Sequence, residues 1–242
     1  MLKVELHSHT ADDPHDSIPY SAADLIDRAA ALGYNALAIT LHERQLDVRD
    51  LRPYAAERGV VLIPGIEQTI EGKHVLLLNY ETDTENVRTF ADLARLRQKR
   101  RGLVVAPHPF FPSRSCLWSY LDRYRHLFDA VECNAMFTRL VDFNRRGESW
   151  ALREGKPVVG NGDVHRLRQL GRTYSLVDAE PNPDSICAAI TAGRVSVVRR
   201  PLTCVEAAGI MGDLFGWPTH AGPQGLKTPA SDSTNISLPQ NV

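Results

Sequence analysis

Short, unbroken apolar runs return along this chain at intervals wide enough for a helix between most of them. Residues 35–40 (Asn-Ala-Leu-Ala-Ile-Thr), 60–66, 74–78, 103–106, 130–134 and 157–160 all have this character. A strand that is apolar at consecutive positions is covered on both faces, as in a parallel sheet flanked by helices, whereas a strand wet on one face alternates. The stretches between read as helices. Ser21 is placed as an N-cap, with Asp24 three residues on forming a capping box, ahead of a stripe of Leu25, Ala29 and Leu32 that stops at Gly33. Residues 47–58, 84–101, 117–128, 139–154 and 184–192 carry further helical patterns, and residues 1–6 and 194–198 read as strands. This alternation implies βα units and an α/β fold with mainly parallel strands.

The 242 residues, 43% of them hydrophobic, suffice for one substantial core and fit the length of a single α/β barrel. From about Ala221 the sequence turns to Gly, Pro, Ser, Thr and Asn, with little apolar surface to offset the entropy of ordering it. We therefore expect a barrel domain over residues 1–204 and an extension over 205–242 that is flexible from about 221. Leu214, Phe215 and Trp217 are the part of that extension able to clamp a neighbouring subunit.

Lys and Arg number 28 against 29 Asp and Glu, a formal charge of −1, which gives no basis for a sequence-independent grip on duplex nucleic acid. Any anion must be held locally. No apolar run approaches the ~18–20 residues that cross a bilayer, so membrane insertion is not expected. Cys116, Cys133, Cys187 and Cys204 are widely spaced and form no C-x-x-C pair, a usage that fits a reducing, cytoplasmic setting.

The residues able to do chemistry sit at strand ends. In α/β folds functional groups gather beyond the carboxyl ends of the strands. His7-Ser8-His9 closes the first strand, and strand residues i and i+2 project to one face ~7 Å apart, within reach of one cation. His42, Glu67, His108, and Asp163 with His165 each fall at or just past the end of a later strand, while His126 and His220 lie apart from the set. That distribution points to a shared metal site. Imidazole and carboxylate together suit zinc, manganese or iron, and the lack of thiolate ligands argues against a purely structural zinc site. No G-x-S-x-G elbow or Walker-type glycine loop accompanies them.

Taken in order, His7-Ser8-His9-Thr10, Ile39-Thr40-Leu41-His42, Gly65-Ile66-Glu67, Pro107-His108-Pro109 and Gly162-Asp163-Val164-His165 resemble the motifs of the PHP family, the polymerase and histidinol phosphatase domain. The resemblance covers roughly residues 1–200. It implies a distorted β/α barrel of about seven strands and a small stand-alone phosphoesterase that uses two or three divalent ions. Carried onto this sequence, His7, His9, Glu67 and Asp163 hold one ion, and Glu67 bridges to a second held also by His108 and His74. His42 and His165 hold a third, whose remaining ligand comes from the loop with Asp12, Asp13, His15 and Asp16; His15 is preferred. Glu67, Asp163 and His108 are then the residues on which catalysis depends. Clustered cations lower the pKa of a bridging water enough to supply hydroxide near neutral pH, so the implied reaction is phosphate ester hydrolysis by a metal-bridging hydroxide. The alternatives are an amidohydrolase using the same cluster on a C–N bond and a non-catalytic module that binds a partner.

Two residues depart from the family pattern. Leu41 stands where the family has Asp, so a hydrogen bond orienting His42 is expected to be missing, and such contacts are worth ~10–100-fold in metal affinity. Gly162 stands where many members have serine, which reads as backbone accommodation beside Asp163. Arg114 and Arg166, each close in sequence to a ligand, are the candidate phosphate contacts, with Arg44 and Arg145 behind them. Phe110 and Phe111 offer a wall for a base or ring. The expected substrate is a small phosphorylated molecule or short oligonucleotide.

Overall fold

The computed structural model describes residues 1–99 and 102–214. The strands are β1 (Leu2–Glu5), β2 (Ala36–Ile39), β3 (Val61–Ile70), β4 (Lys73–Leu78), β5 (Leu103–Ala106), β6 (Ala130–Asn134), β7 (Val158–Asn161), β8 (Thr173–Val177) and β9 (Val195–Arg199). The helices are α1 (Ala22–Ala31), α2 (Arg52–Ala56), α3 (Phe90–Lys99), α4 (Ser119–Arg123), α5 (Asn144–Glu154), α6 (Pro183–Thr191) and α7 (Cys204–Leu214). Among the described residues the strands form a nine-stranded sheet in the order β7-β6-β5-β4-β3-β2-β1-β8-β9, curled into an α/β barrel. No helix of the described residues is long and apolar enough to cross a membrane. The tail expected from Ala221, together with Phe215 and Trp217, lies outside the described residues.

The helices start where side chains cap them. Ser21 accepts from the Asp24 N–H while Asp24 accepts from the Ser21 N–H, and α1 buries Ala22, Leu25, Ile26 and Ala29. Thr89 and Asp92 repeat this box, so α3 starts at Phe90 rather than near residue 84. The helix expected over 47–58 shrinks to α2 because Pro53, lacking an N–H, fits only the first turn. The one expected from 139 begins at Asn144, because the Thr138 hydroxyl takes the N–H groups of Leu140 and Val141 into a local turn.

The sheet is mixed rather than mainly parallel. β1–β2, β2–β3, β5–β6 and β6–β7 pair in parallel, whereas β3–β4, β4–β5, β1–β8 and β8–β9 are antiparallel. The reversal at β3–β4 is local chemistry: Glu71 and Gly72 both adopt positive φ, 49° and 75°, the two-residue turn that a tight hairpin requires. His74 therefore starts an antiparallel strand opposite Thr69 and arrives at the same barrel end as the C-termini of the parallel strands.

The barrel closes between β1 and β7 largely through side chains. Just past the two strands, Ser8 and Val164 form one parallel bridge, with His9 N–H donating to Val164 O (3.1 Å) and Val164 N–H to His7 O (3.2 Å). Below it, Asn161 Oδ1 accepts from Leu6 N–H (3.2 Å), and the Glu5 carboxylate accepts from Gly162 N–H (2.9 and 3.0 Å). The Ser175 hydroxyl accepts from Gly160 N–H (2.9 Å) and donates to Gly160 O (3.1 Å). Gly160 leaves room for this approach, since a Cβ there would stand 2.7 Å from Val197 and 2.8 Å from the Tyr174 carbonyl. At the opposite end α6 contributes Ile186, Ala189 and Ile190 to a buried cluster with Val4, Ala36, Ile63, Leu78 and Val159. Each isoleucine so buried stabilises by ~1.5–3 kcal/mol.

Candidate metal centre

At the mouth, strand-end pairing aims the ligand-type side chains at one point. Ser8 Oγ donates to Ala38 O (2.6 Å) and Thr40 N–H to Ser8 O (2.8 Å), which locks the His-Ser-His segment beside β2. Glu67 N–H donates to Leu41 O and Glu43 N–H to Glu67 O, so β2 and β3 continue far enough to set His42 beside Glu67.

Glu67, 1% exposed, is the centre. Its Oε2 faces Nε2 of His7 (3.2 Å), His9 (3.5 Å) and His42 (3.1 Å); its Oε1 faces His74 Nδ1 (2.7 Å) and His108 Nε2 (3.2 Å). Asp163 Oδ1 adds a second acid 3.3 Å from His7 Nε2 and 3.6 Å from His9 Nε2. Asp163 sits at φ 48° and His108 at φ 27°, backbone conformations that cost non-glycine residues about 1–3 kcal/mol and tend to persist at functional sites. Asn134 Nδ2 steadies Asp163 Oδ2 at 3.1 Å.

Burial opposes charge on Glu67 and Asp163, yet the surrounding imidazoles hold both carboxyls well below the usual carboxylate range. Burial likewise opposes protonation of His7 and His42, but acids win: Asp163, Glu132 and Glu67 hold His7 well above its usual range, and Asp13 and Glu67 raise His42 to about 10. For His9 burial and the neighbouring His165 prevail, and its pKa falls. Burial pushes the Glu5 carboxyl up to about 8, against hydrogen bonds from the Gly162 and His7 N–H groups.

Two buried ring nitrogens decide whether this set suits a metal. His9 Nε2 and His74 Nδ1 have no hydrogen-bond partner, although His74 Nδ1 lies 2.7 Å from Glu67 Oε1, off the hydrogen-bonding direction. An imidazole lone pair against a carboxylate oxygen repels unless a cation stands between them. The residues fit such a cation. His7, His9 and Glu67, then His42, Glu67 and His74, then His9, Asp163 and His165 each offer three ligand atoms within 4.8 Å of one another.

The structure brings together His7, His9, His42, Glu67, His74, His108, Asp163 and His165, and leaves His15 aside. The His15 side chain is 54% exposed and lies 3.8 Å from Glu43. From the same loop Asp13 reaches the cluster, its Oδ2 meeting Nδ1 of both His9 (2.9 Å) and His42 (3.0 Å) and grouping with them within 4.8 Å. His42 and His165 fall in different groups, and Asp16 Oδ2 lies 3.1 Å from His165 Nε2. Leu41 is fully buried among Ile18, Tyr20 and Val48, so its apolar side chain belongs to the core. Gly162 is explained by space: a Cβ would lie 2.5 Å from Val164 Cγ2 and 3.1 Å from Glu5 Oε2.

The cleft above the cluster has a volume of about 340 Å³ and is lined in part by Phe111, Ser113, Ser115, Asn134, Gln169 and, from α7, Met211. Arg114 and Arg166 do not line it. Arg114 is exposed and its carbonyl accepts from Lys73, while the Arg166 guanidinium donates to the carbonyls of Ser17 and His165. Sequence reasoning gave no role to Glu5 and Glu132, both fully or almost fully buried acids. The available signal was an acid inside an apolar strand: a charge in Val131-Glu132-Cys133 needs a partner.

A family model described as PHP-associated matches residues 142–195, which include Asp163 and His165. The PolC-type DNA polymerase III of Lactococcus lactis is 32% identical over 83 residues, 34% of this chain and 5% of the polymerase. A two-domain protein from Bacteroides vulgatus containing a predicted PHP-like metal-dependent phosphoesterase superposes with TM-score 0.66 at 20% identity, over 82% of this chain and 65% of that one. The lesion-specific endonuclease PfuEndoQ from Pyrococcus furiosus does so with TM-score 0.54 at 15% identity, over 87% and 66%. A barrel whose strand ends collect histidines and carboxylates at one mouth defines a class of proteins equipped to bind metal ions. Over these stretches and in its fold, this chain is similar to PHP domain proteins.

Proposed function

We propose that the chain is a metal-dependent hydrolase of phosphate esters acting on a small phosphorylated molecule or short oligonucleotide. The observation that carries the reading is Glu67, one buried carboxylate with separate imidazole sets on its two oxygens. His7, His9, His42, His74, His108, Glu67, Asp163 and His165 would hold two or three divalent ions, with Asp13 behind His9 and His42. Bound there, such ions would acidify water and neutralise charge on the phosphoryl oxygens.

The chain's own part is orientation. Nδ1–H groups of His9 and His42 donate to Asp13, which directs their Nε2 atoms at Glu67. Among the described residues no Arg or Lys lines the cleft, so the positive charge available to a phosphate there comes from the cluster's own imidazoles and from any metal they hold. The descriptions of the Bacteroides and Pyrococcus neighbours, a phosphoesterase and an endonuclease, support the same chemistry.

Elemental analysis of protein purified without chelator, followed by a phosphate-release screen, tests the reading. At least two equivalents of transition metal and release from phosphate esters are expected. Less than one equivalent after reconstitution, or turnover of amides or lactones with phosphate esters untouched, would overturn it.

A further inference from the structure

We infer that Glu132 is a positioning residue that presets two of the proposed ligands at once, the ring orientation of His7 and the backbone of His108. The carboxylate lies inside β6 at 1% exposure and accepts four hydrogen bonds. Oε1 takes His7 Nδ1–H (2.8 Å) and Asn161 Nδ2–H (3.0 Å); Oε2 takes His108 N–H (2.7 Å) and Asn134 Nδ2–H (3.3 Å). All four partners donate, so both carboxylate oxygens of Glu132 serve as acceptors. With its lone pairs so engaged, Glu132 has none left for a cation, although it lies within 4.8 Å of ligand atoms of His7 and His108.

For His7, the bond from Nδ1–H to Glu132 fixes the ring so that Nε2 points between Glu67 and Asp163, 3.2 and 3.3 Å away. For His108, the bond to its N–H holds a residue at φ 27°, from which Nε2 reaches Glu67 Oε1. One acid on β6 thereby aligns residues at the ends of β1 and β5, while Asn161 ties it to β7. Hydrogen bonds of this kind behind a ligand are worth ~10–100-fold in metal affinity.

The consequence for metal affinity rests on the proposed metal site; the Glu132 to His7 hydrogen bond does not. Glu132→Gln keeps shape and volume but turns one end into a donor, so either His7 or His108 loses its acceptor. Zinc affinity by chelator competition and the histidine Nδ1–H resonances of ¹⁵N-histidine protein are the readouts. Val159→Ala, a core change in neighbouring β7, is the control for destabilisation alone. We expect Glu132→Gln to weaken zinc binding ~10–100-fold and to lose or shift the protected His7 Nδ1–H signal. Val159→Ala should lower Tm while keeping both readouts. Wild-type zinc affinity with an unchanged His7 signal in Glu132→Gln overturns the inference. So does a loss of affinity that Val159→Ala matches at equal Tm. If the wild type binds no zinc, the metal reading fails, and the His7 signal in wild type against Glu132→Gln still decides whether Glu132 holds the ring.

Discussion

Asp13 and His42 meet twice: the carboxylate Oδ2 accepts both the backbone N–H and the ring Nδ1–H of His42, each at 3.0 Å. The orientation that an acid at position 41 was expected to supply comes instead from the loop after β1. Asp13→Ala removes this bond and the one to His9, so metal affinity should fall ~10–100-fold. His15→Ala should leave affinity near wild type. Chelator-competition titrations compare the two, and a larger loss in His15→Ala would reverse the assignment.

Glu67→Ala takes away the acid that faces five imidazoles and leaves any remaining cations to repel one another. Hydrolysis should drop by ~10²-fold or more, the size of effect that positioned charges have on rate. The fold should survive in the presence of metal, as judged by circular dichroism. Wild-type phosphate release from this variant would show that the reaction runs elsewhere.

Gly162→Ala tests the reading of that position as a matter of space. Its methyl would press on Val164 and Glu5 at the barrel closure, and overpacking of this kind costs about 1–3 kcal/mol. Chemical denaturation should show that loss. An unchanged midpoint would mean that the closure yields freely.

Glu5 gives a pH dependence whose sign follows from its raised pKa. The folded chain keeps this proton up to about 8 while the unfolded chain releases it near 4.5, so the group's contribution to stability declines as pH rises through that window. Comparing Tm of metal-free wild type and Glu5→Gln isolates it. The gap should shift steadily in favour of the glutamine variant from about pH 5 to 8 and level off above. A gap that ignores pH would count against the protonated state.

The apolar runs located the strands because burial on both faces leaves its mark at every position: residues 130–134 match β6 residue for residue. Strand direction was not legible, since one hairpin turn at Glu71-Gly72 and the return of β8 along β1 decide it, and neither changes the apolar pattern. The histidines were legible as a set because strand ends converge in any such barrel. Asp13 was not, because solvated and buried loop acids look alike until the chain folds back and His9 and His42 flank one of them. The expected helix ends erred where Pro53 and Thr138 set local rules stronger than apolar spacing.

The closure between β1 and β7 also fixes the order in which the molecule can be completed. The Gly162 to Glu5 bond joins positions 157 apart, and His7 meets Asp163 across the same divide. Contacts of such separation form late, because the intervening chain must first be ordered. During synthesis β1 leaves the ribosome well before β7, which emerges only after some 150 more residues. Until then Glu5, His7 and His9, sealed from water in the finished barrel, stay wet, and the nascent chain holds half of a binding site that cannot close around an ion before translation has passed His165.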